Sequence, residues 1–116
     1  MAQNEYKRVA AKTATLTLAS TTTVNSTIQI PPGSIVTGLI MKNNELLVGA
    51  GNVTIVVDTV AQMTAAAATL TDGNVSRFTP NSAAKTIISN NGGLIGVTTS
   101  TNTVGSVDVT VEYISA

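Results

Sequence analysis

Polar and apolar side chains alternate along most of this chain, and the alternation starts near residue 13. Ala14, Leu16 and Leu18 fall on one face of an extended segment, Thr13, Thr15 and Thr17 on the other. Val24, Ser26, Ile28 and Ile30 then alternate with Asn25, Thr27 and Gln29. The last segment is the cleanest: Val107, Val109, Val111 and Tyr113 point one way, and Ser106, Asp108, Thr110 and Glu112 the other. A period of two over such lengths predicts half-buried strands with a core face and a wet face. Ile35 to Met41 and Val53 to Val57 are apolar on both faces, which predicts strands placed centrally or against a neighbouring subunit. Val75 to Thr79, Lys85 to Ser89 and Leu94 to Thr99 are weaker strand candidates.

Turn chemistry separates these runs. Pro31-Pro32-Gly33 stops one strand and Asn43-Asn44 another, while Asp72-Gly73-Asn74 and Asn90-Asn91-Gly92-Gly93 suit hairpins because Asn and Gly accept positive φ. The spacing predicts about eight short strands in an all-β antiparallel sandwich or barrel. Val60 to Leu70 breaks the pattern. Its Ala65-Ala66-Ala67-Ala68 run favours helix by propensity, and the flanking Thr64 and Thr69 restrict it to a helical turn or two within a connection. Residues 1–12 show no strand pattern and read as an extended N-terminal arm, leaving 13–116 as a single β-sandwich domain.

Composition explains what the faces are made of. Thr occurs 20 times, Val 14 and Ile 9, so 43 of the 116 residues are β-branched and fit a pleated surface. Charged residues make up 10% of the chain, against about a quarter in ordinary soluble domains, so the wet faces are Thr, Ser and Asn. Six Lys and Arg balance six Asp and Glu, and a lone domain of zero net charge tends to self-associate.

The same composition excludes chemistry. There is no His to act as a general base near neutral pH and no Cys for a disulfide, thiolate or zinc site. Balanced charge argues against nucleic acid as a partner. Gly33 to Met41, the longest nearly apolar run, is too short to span a bilayer, so no membrane partner is expected. Residues 1–12 hold Glu5, Lys7, Arg8 and Lys12 with no apolar stretch after them, which predicts synthesis in a cytoplasm without an export signal.

Candidate motifs reduce to structure. Gly49-Ala50-Gly51-Asn52 leads into the strand Val53 to Val57, whereas a phosphate loop must lead into a helix. Asp108 and Glu112 share a strand face, but four residues of extended chain separate them by roughly 13 Å. Paired glycosidase carboxylates sit about 5–9.5 Å apart, so this strand supplies no catalytic pair. Glu5, Glu45, Asp58 and Asp72 are scattered singly, and no loop carries closely spaced oxygen ligands for Ca²⁺. The sequons at Asn25, Asn52 and Asn74 are expected by chance in a chain so rich in Asn and Thr. No catalytic, cofactor or metal site and no small-molecule substrate is expected. Tyr6, Lys7 and Arg8 form a small basic-aromatic cluster suited to a partner surface or to solvent. Met63 and Phe78 would be contact residues if exposed and core residues otherwise. With Tyr6, Phe78 and Tyr113 the only aromatics, there is no stacking platform.

One stretch resembles a known group. Ile28-Gln29-Ile30-Pro31-Pro32-Gly33-Ser34-Ile35-Val36-Thr37-Gly38-Leu39 resembles a segment of small β-sandwich proteins from tailed-phage virions. Val48-Gly49-Ala50-Gly51 leading into Asn52 to Val57 is similar to the hairpin that follows there, and Val107 to Ile114 to their closing strand. The resemblance covers residues 24–58 and 93–116, and Thr59 to Ala84 has no counterpart. It implies a jelly roll, a homotrimer, and a capsid decoration (cement) protein on the outer surface of the major capsid protein shell. A tail, neck or fibre-base subunit has the same composition, and a small adhesin or carbohydrate-binding module is the rival from another class.

Overall fold

Alternation becomes pairing in the computed structural model, which describes residues 9–18, 22–44, 51–66, 75–80, 92–100 and 103–114. Eight strands follow in order: β1 (Val9–Leu18), β2 (Thr23–Ile30), β3 (Ile35–Asn43), β4 (Asn52–Val57), β5 (Val60–Ala66), β6 (Val75–Phe78), β7 (Gly93–Thr99) and β8 (Gly105–Ile114). They form two four-stranded antiparallel sheets, ordered β1-β8-β3-β6 and β2-β7-β4-β5. The chain is an all-β sandwich.

The pairing is nested: β1 with β8, β2 with β7, β3 with β6 and β4 with β5. Two further ladders, β3 with β8 and β4 with β7, complete the sheets. Only β4 and β5 are consecutive partners, so every other connection crosses between the sheets. β1 and β8 pair in unbroken register from Val9↔Ile114 to Leu18↔Gly105.

The expected core faces are the buried ones. Leu16, Leu39, Met41, Val107, Val109 and Val111 of the first sheet pack in one apolar cluster with Ile55, Val57, Ile95 and Val97 of the second. The two doubly apolar segments, β3 and β4, are interior strands of their sheets. Pro31 to Ser34 closes as a tight turn, with Ser34 N donating to Pro31 O (3.3 Å) and Gly33 at φ 79, as a Pro-Gly type II turn requires.

Two expectations change. Val60–Ala66 is strand β5, not helix, because a two-residue turn at Asp58-Thr59 pairs it with β4. β1 starts at Val9, so residues 9–12 of the expected arm are laddered to β8, and residues 1–8 lie outside the described residues. Lys85 to Ser89, a weaker strand candidate, lies outside the described residues as well.

Edges are handled locally. Lys12 Nζ donates to Gln29 O (3.0 Å), tying the β1 edge of one sheet to the β2 edge of the other. β6 is short, a common way of blunting an edge.

Candidate functional site

Two outer sheet faces are the surfaces this fold offers, and they differ in charge. On the first sheet, alternation turns Thr13, Thr15 and Thr17 of β1 outward beside Thr110, Asp108 and Ser106 of β8. Lys42 of β3 stands opposite Asp108, and Arg77 of β6 lies opposite Ile40. Thr15 Oγ1 donates to Asp108 Oδ1 (2.7 Å), and Asn44 Nδ2 donates to the same oxygen (2.9 Å). Those two bonds, Thr15 first, hold the Asp108 carboxyl below its ordinary value; partial desolvation opposes them and Lys42 adds a smaller pull downward. Glu112 takes Arg77 as its ion-pair partner (2.7 Å). Asp108 and Glu112 therefore sit in separate networks and do not converge.

The second sheet carries no Lys, Arg, Asp or Glu on any of its four strands. Its register places one threonine per strand in a row across the face: Thr23 opposite Thr98, Thr98 opposite Thr54, Thr54 opposite Thr64. The hydroxyls of Thr23 and Thr98 hydrogen-bond each other (2.7 Å), as do those of Thr54 and Thr64 (2.9 Å). The next row is Asn25, Gly96, Val56 and Ala61, and the Asn25 and Val56 side chains lie over Gly96. Thr23, Asn25, Thr27, Gln29 and Leu94 are exposed along it.

Of the residues singled out from sequence, Met63 belongs to the apolar core and Phe78 is half-buried against it, opposite Leu39. Tyr6, Lys7 and Arg8 lie outside the described residues. Among the described residues no group of three Asp or Glu side chains gathers to hold a metal. Gly51, from the glycine-rich stretch, leads into β4 and donates its N–H to Thr103 Oγ1 (3.2 Å). The threonine row is what sequence reasoning missed. Only Thr54 and Thr98 lie in segments read as strands, Thr64 being read beside a helical turn, and the alignment depends on the order β2-β7-β4-β5, which no local pattern encodes.

Neither a family model nor a curated protein matches the sequence. Among solved structures, a chain of the cyanophage Pam1 capsid asymmetric unit superposes with a TM-score of 0.59 at 19% identity, covering 95% of this chain and 85% of that one. The likeness is one of fold. Weaker similarities are to a Bacillus endospore appendage pilus protein (TM-score 0.46, 16% identity, 96% and 92% covered) and to a chain of the T13 infectious bursal disease virus particle (TM-score 0.38, 15% identity, 91% and 31% covered). Neither of these two superposes well enough to carry weight.

Proposed function

We propose that the chain is a structural virion protein, a capsid decoration (cement) protein that binds the outer surface of the major capsid protein shell and stabilises it. The observation that carries this is the likeness of fold to a chain of the cyanophage Pam1 capsid asymmetric unit, which spans 95% of this chain and 85% of that one. The nested pairing supports reading the sandwich as a jelly roll, the double-sheet architecture of many capsid domains. The surface chemistry fits a building part: one face carries ionised groups held by their own neighbours, and the four strands of the other sheet carry no charged residue.

The arm is the proposed capsid attachment, through Tyr6, Lys7 and Arg8, with the copies associated as a homotrimer. Strand β1, which follows the arm, starts beside Ile114 and the Ile35 end of β3, near the Pro31 to Ser34 turn. Co-sedimentation with shells lacking the chain tests this. The intact protein should pellet with shells at saturable stoichiometry, and a Lys7→Glu, Arg8→Glu variant should bind at least several-fold more weakly. A fully folded protein that never pellets with shells would overturn the proposal.

A further inference from the structure

We infer that Ser26 and Lys12 form a guard that stops the β2 edge of the sandwich from pairing with the β2 edge of a second copy of this chain. The sequence sets the hazard. Thr23–Ile30 holds no charged residue, no proline and no glycine, and Thr23, Val24, Thr27, Ile28 and Ile30 are β-branched. Segments of that composition pair readily with copies of themselves at a sheet edge, where unpaired N–H and C=O groups face outward. β2 is such an edge.

The four edge strands divide by how they meet that hazard. β1 and β6 edge the first sheet: β1 carries Lys12 and pairs with β8 in unbroken register, and β6 is short and carries Arg77. β2 and β5 edge the second sheet, and neither has a charged residue. Both instead have a shifted register, β5 against β4 between Ile55 and Val56, and β2 against β7 between Asn25 and Gln29. Where an edge lacks charge, a bulge stands in its place. A bulge bends the strand and puts its outward groups out of step with an incoming ladder.

Ser26 holds the β2 bulge in shape. Asn25 stands opposite Gly96 and Gln29 opposite Leu94, so Ser26, Thr27 and Ile28 face Ile95 alone. Ser26 Oγ donates to Ile95 O (2.7 Å) and accepts from Ile28 N (3.1 Å), supplying partners where the ladder is interrupted. The insertion is even, so the alternation keeps its phase: Ser26, Ile28 and Ile30 are half-buried or buried, and Asn25, Thr27 and Gln29 are exposed. The strand bends without turning its core face outward. Beyond the bulge, Lys12 Nζ donates to Gln29 O (3.0 Å), which occupies a main-chain acceptor of β2 and sets a cation beside an edge that has none of its own. The inference does not rest on the virion proposal, because the guard acts in the isolated chain.

The test is sedimentation of the purified chain from micromolar to millimolar, with amide hydrogen exchange of β2 over the same range. Removing Ser26 and Thr27 straightens β2 with its phase intact. Combined with Lys12→Met, this should make the chain self-associate at concentrations at least tenfold lower than the parent, with new protection in β2. Adding Asn25→Lys should return that chain to the parent's behaviour, since charge then replaces the bulge. Ser26→Ala with Lys12→Met keeps the full length and should promote association several-fold, and it decides the matter alone if the shortened chain does not fold. Lys42→Met, which removes a cation from an interior strand, should change nothing. Folded variants that associate as the parent does, new protection confined to β5 or β6, or association that Asn25→Lys leaves untouched would each overturn the inference. None of those results touches shell binding, which is measured separately.

Discussion

Arg77 and Glu112 meet across a strand that lies between them. Arg77 Nη1 donates to Glu112 Oε1 at 2.7 Å and Nη2 to Oε2 at 3.5 Å, although β3 separates β6 from β8. The residue of β3 opposite Glu112 is Gly38, and a Cβ there would collide with Glu112 Oε1. The carboxylate thus reaches Arg77 through the space a side chain would fill. The local register shift between Val36 and Gly38 brings glycine to that position.

Gly38→Ala should therefore break the ion pair with little net change in stability. An exposed pair contributes about 0–1 kcal/mol, and replacing an extended glycine returns a comparable amount through lower unfolded-state entropy. A double-mutant cycle on Arg77 and Glu112, read by urea unfolding, should give a favourable coupling in the parent and none in the Gly38→Ala background. A coupling that survives the substitution would show that the pair does not depend on the glycine.

Asp108 should make the fold sensitive to acid. Its folded pKa lies below the ordinary 3.8, so its contribution is complete above that value and disappears as pH falls through the lower folded value. Asp108→Asn should cost stability at neutral pH, and the gap from the parent should close below pH 3.8. Thr15→Val should lower stability at neutral pH and shrink the loss on acidification, since Thr15 supplies the larger stabilising bond. Urea midpoints on both sides of that pH measure both effects.

The β4–β5 turn stores strain that substitution can release. Asp58 and Thr59 have φ of 55° and 64°, and a β-branched residue is poorly suited to that region. Thr59→Gly should raise stability by about 1 kcal/mol, seen as a higher unfolding midpoint. An unchanged or lowered midpoint would mean that the Thr59 Oγ1 to Asp58 O hydrogen bond (2.6 Å) outweighs the strain.

Gln62 offers a second gain. It is 1% exposed, its Nε2 donates weakly to Val60 O (3.3 Å), and its Oε1 is buried with no partner among the described residues. Gln62→Met, of similar volume, should stabilise by about 1 kcal/mol, because an orphaned buried acceptor costs about 1–3 kcal/mol. Thermal unfolding of the two chains decides it.

Gln62 also explains what the sequence concealed. Ile55↔Met63 is followed by Val56↔Ala61, so Gln62 is an extra residue in β5 and both Gln62 and Met63 turn inward. That bulge breaks the period of two just where an alanine run begins, and Thr59 is no turn signal, so propensity pointed to helix. Leu16, Val109 and Val111 needed only their alternation to be placed in the core, and β8 was legible nearly to its ends. The nested strand order was not legible, because Val9 and Ile114 pair across almost the whole chain. The face chemistry was half legible: Thr54 and Thr98 lie in segments that read as strands, whereas Thr64 reads as the flank of a helical turn and Thr23 falls just before an alternating run. That the four strands of one sheet hold no charged residue emerges only once the strands are sorted into sheets.

The most direct measurement for the virion proposal is a reconstruction of the purified phage particle, before and after the chain is stripped and after it is added back. The outer surface of the shell should carry density fitted by this eight-stranded sandwich, lost on stripping and restored on addition. A shell surface that is identical in all three reconstructions, or the chain resolved in the tail, would contradict it.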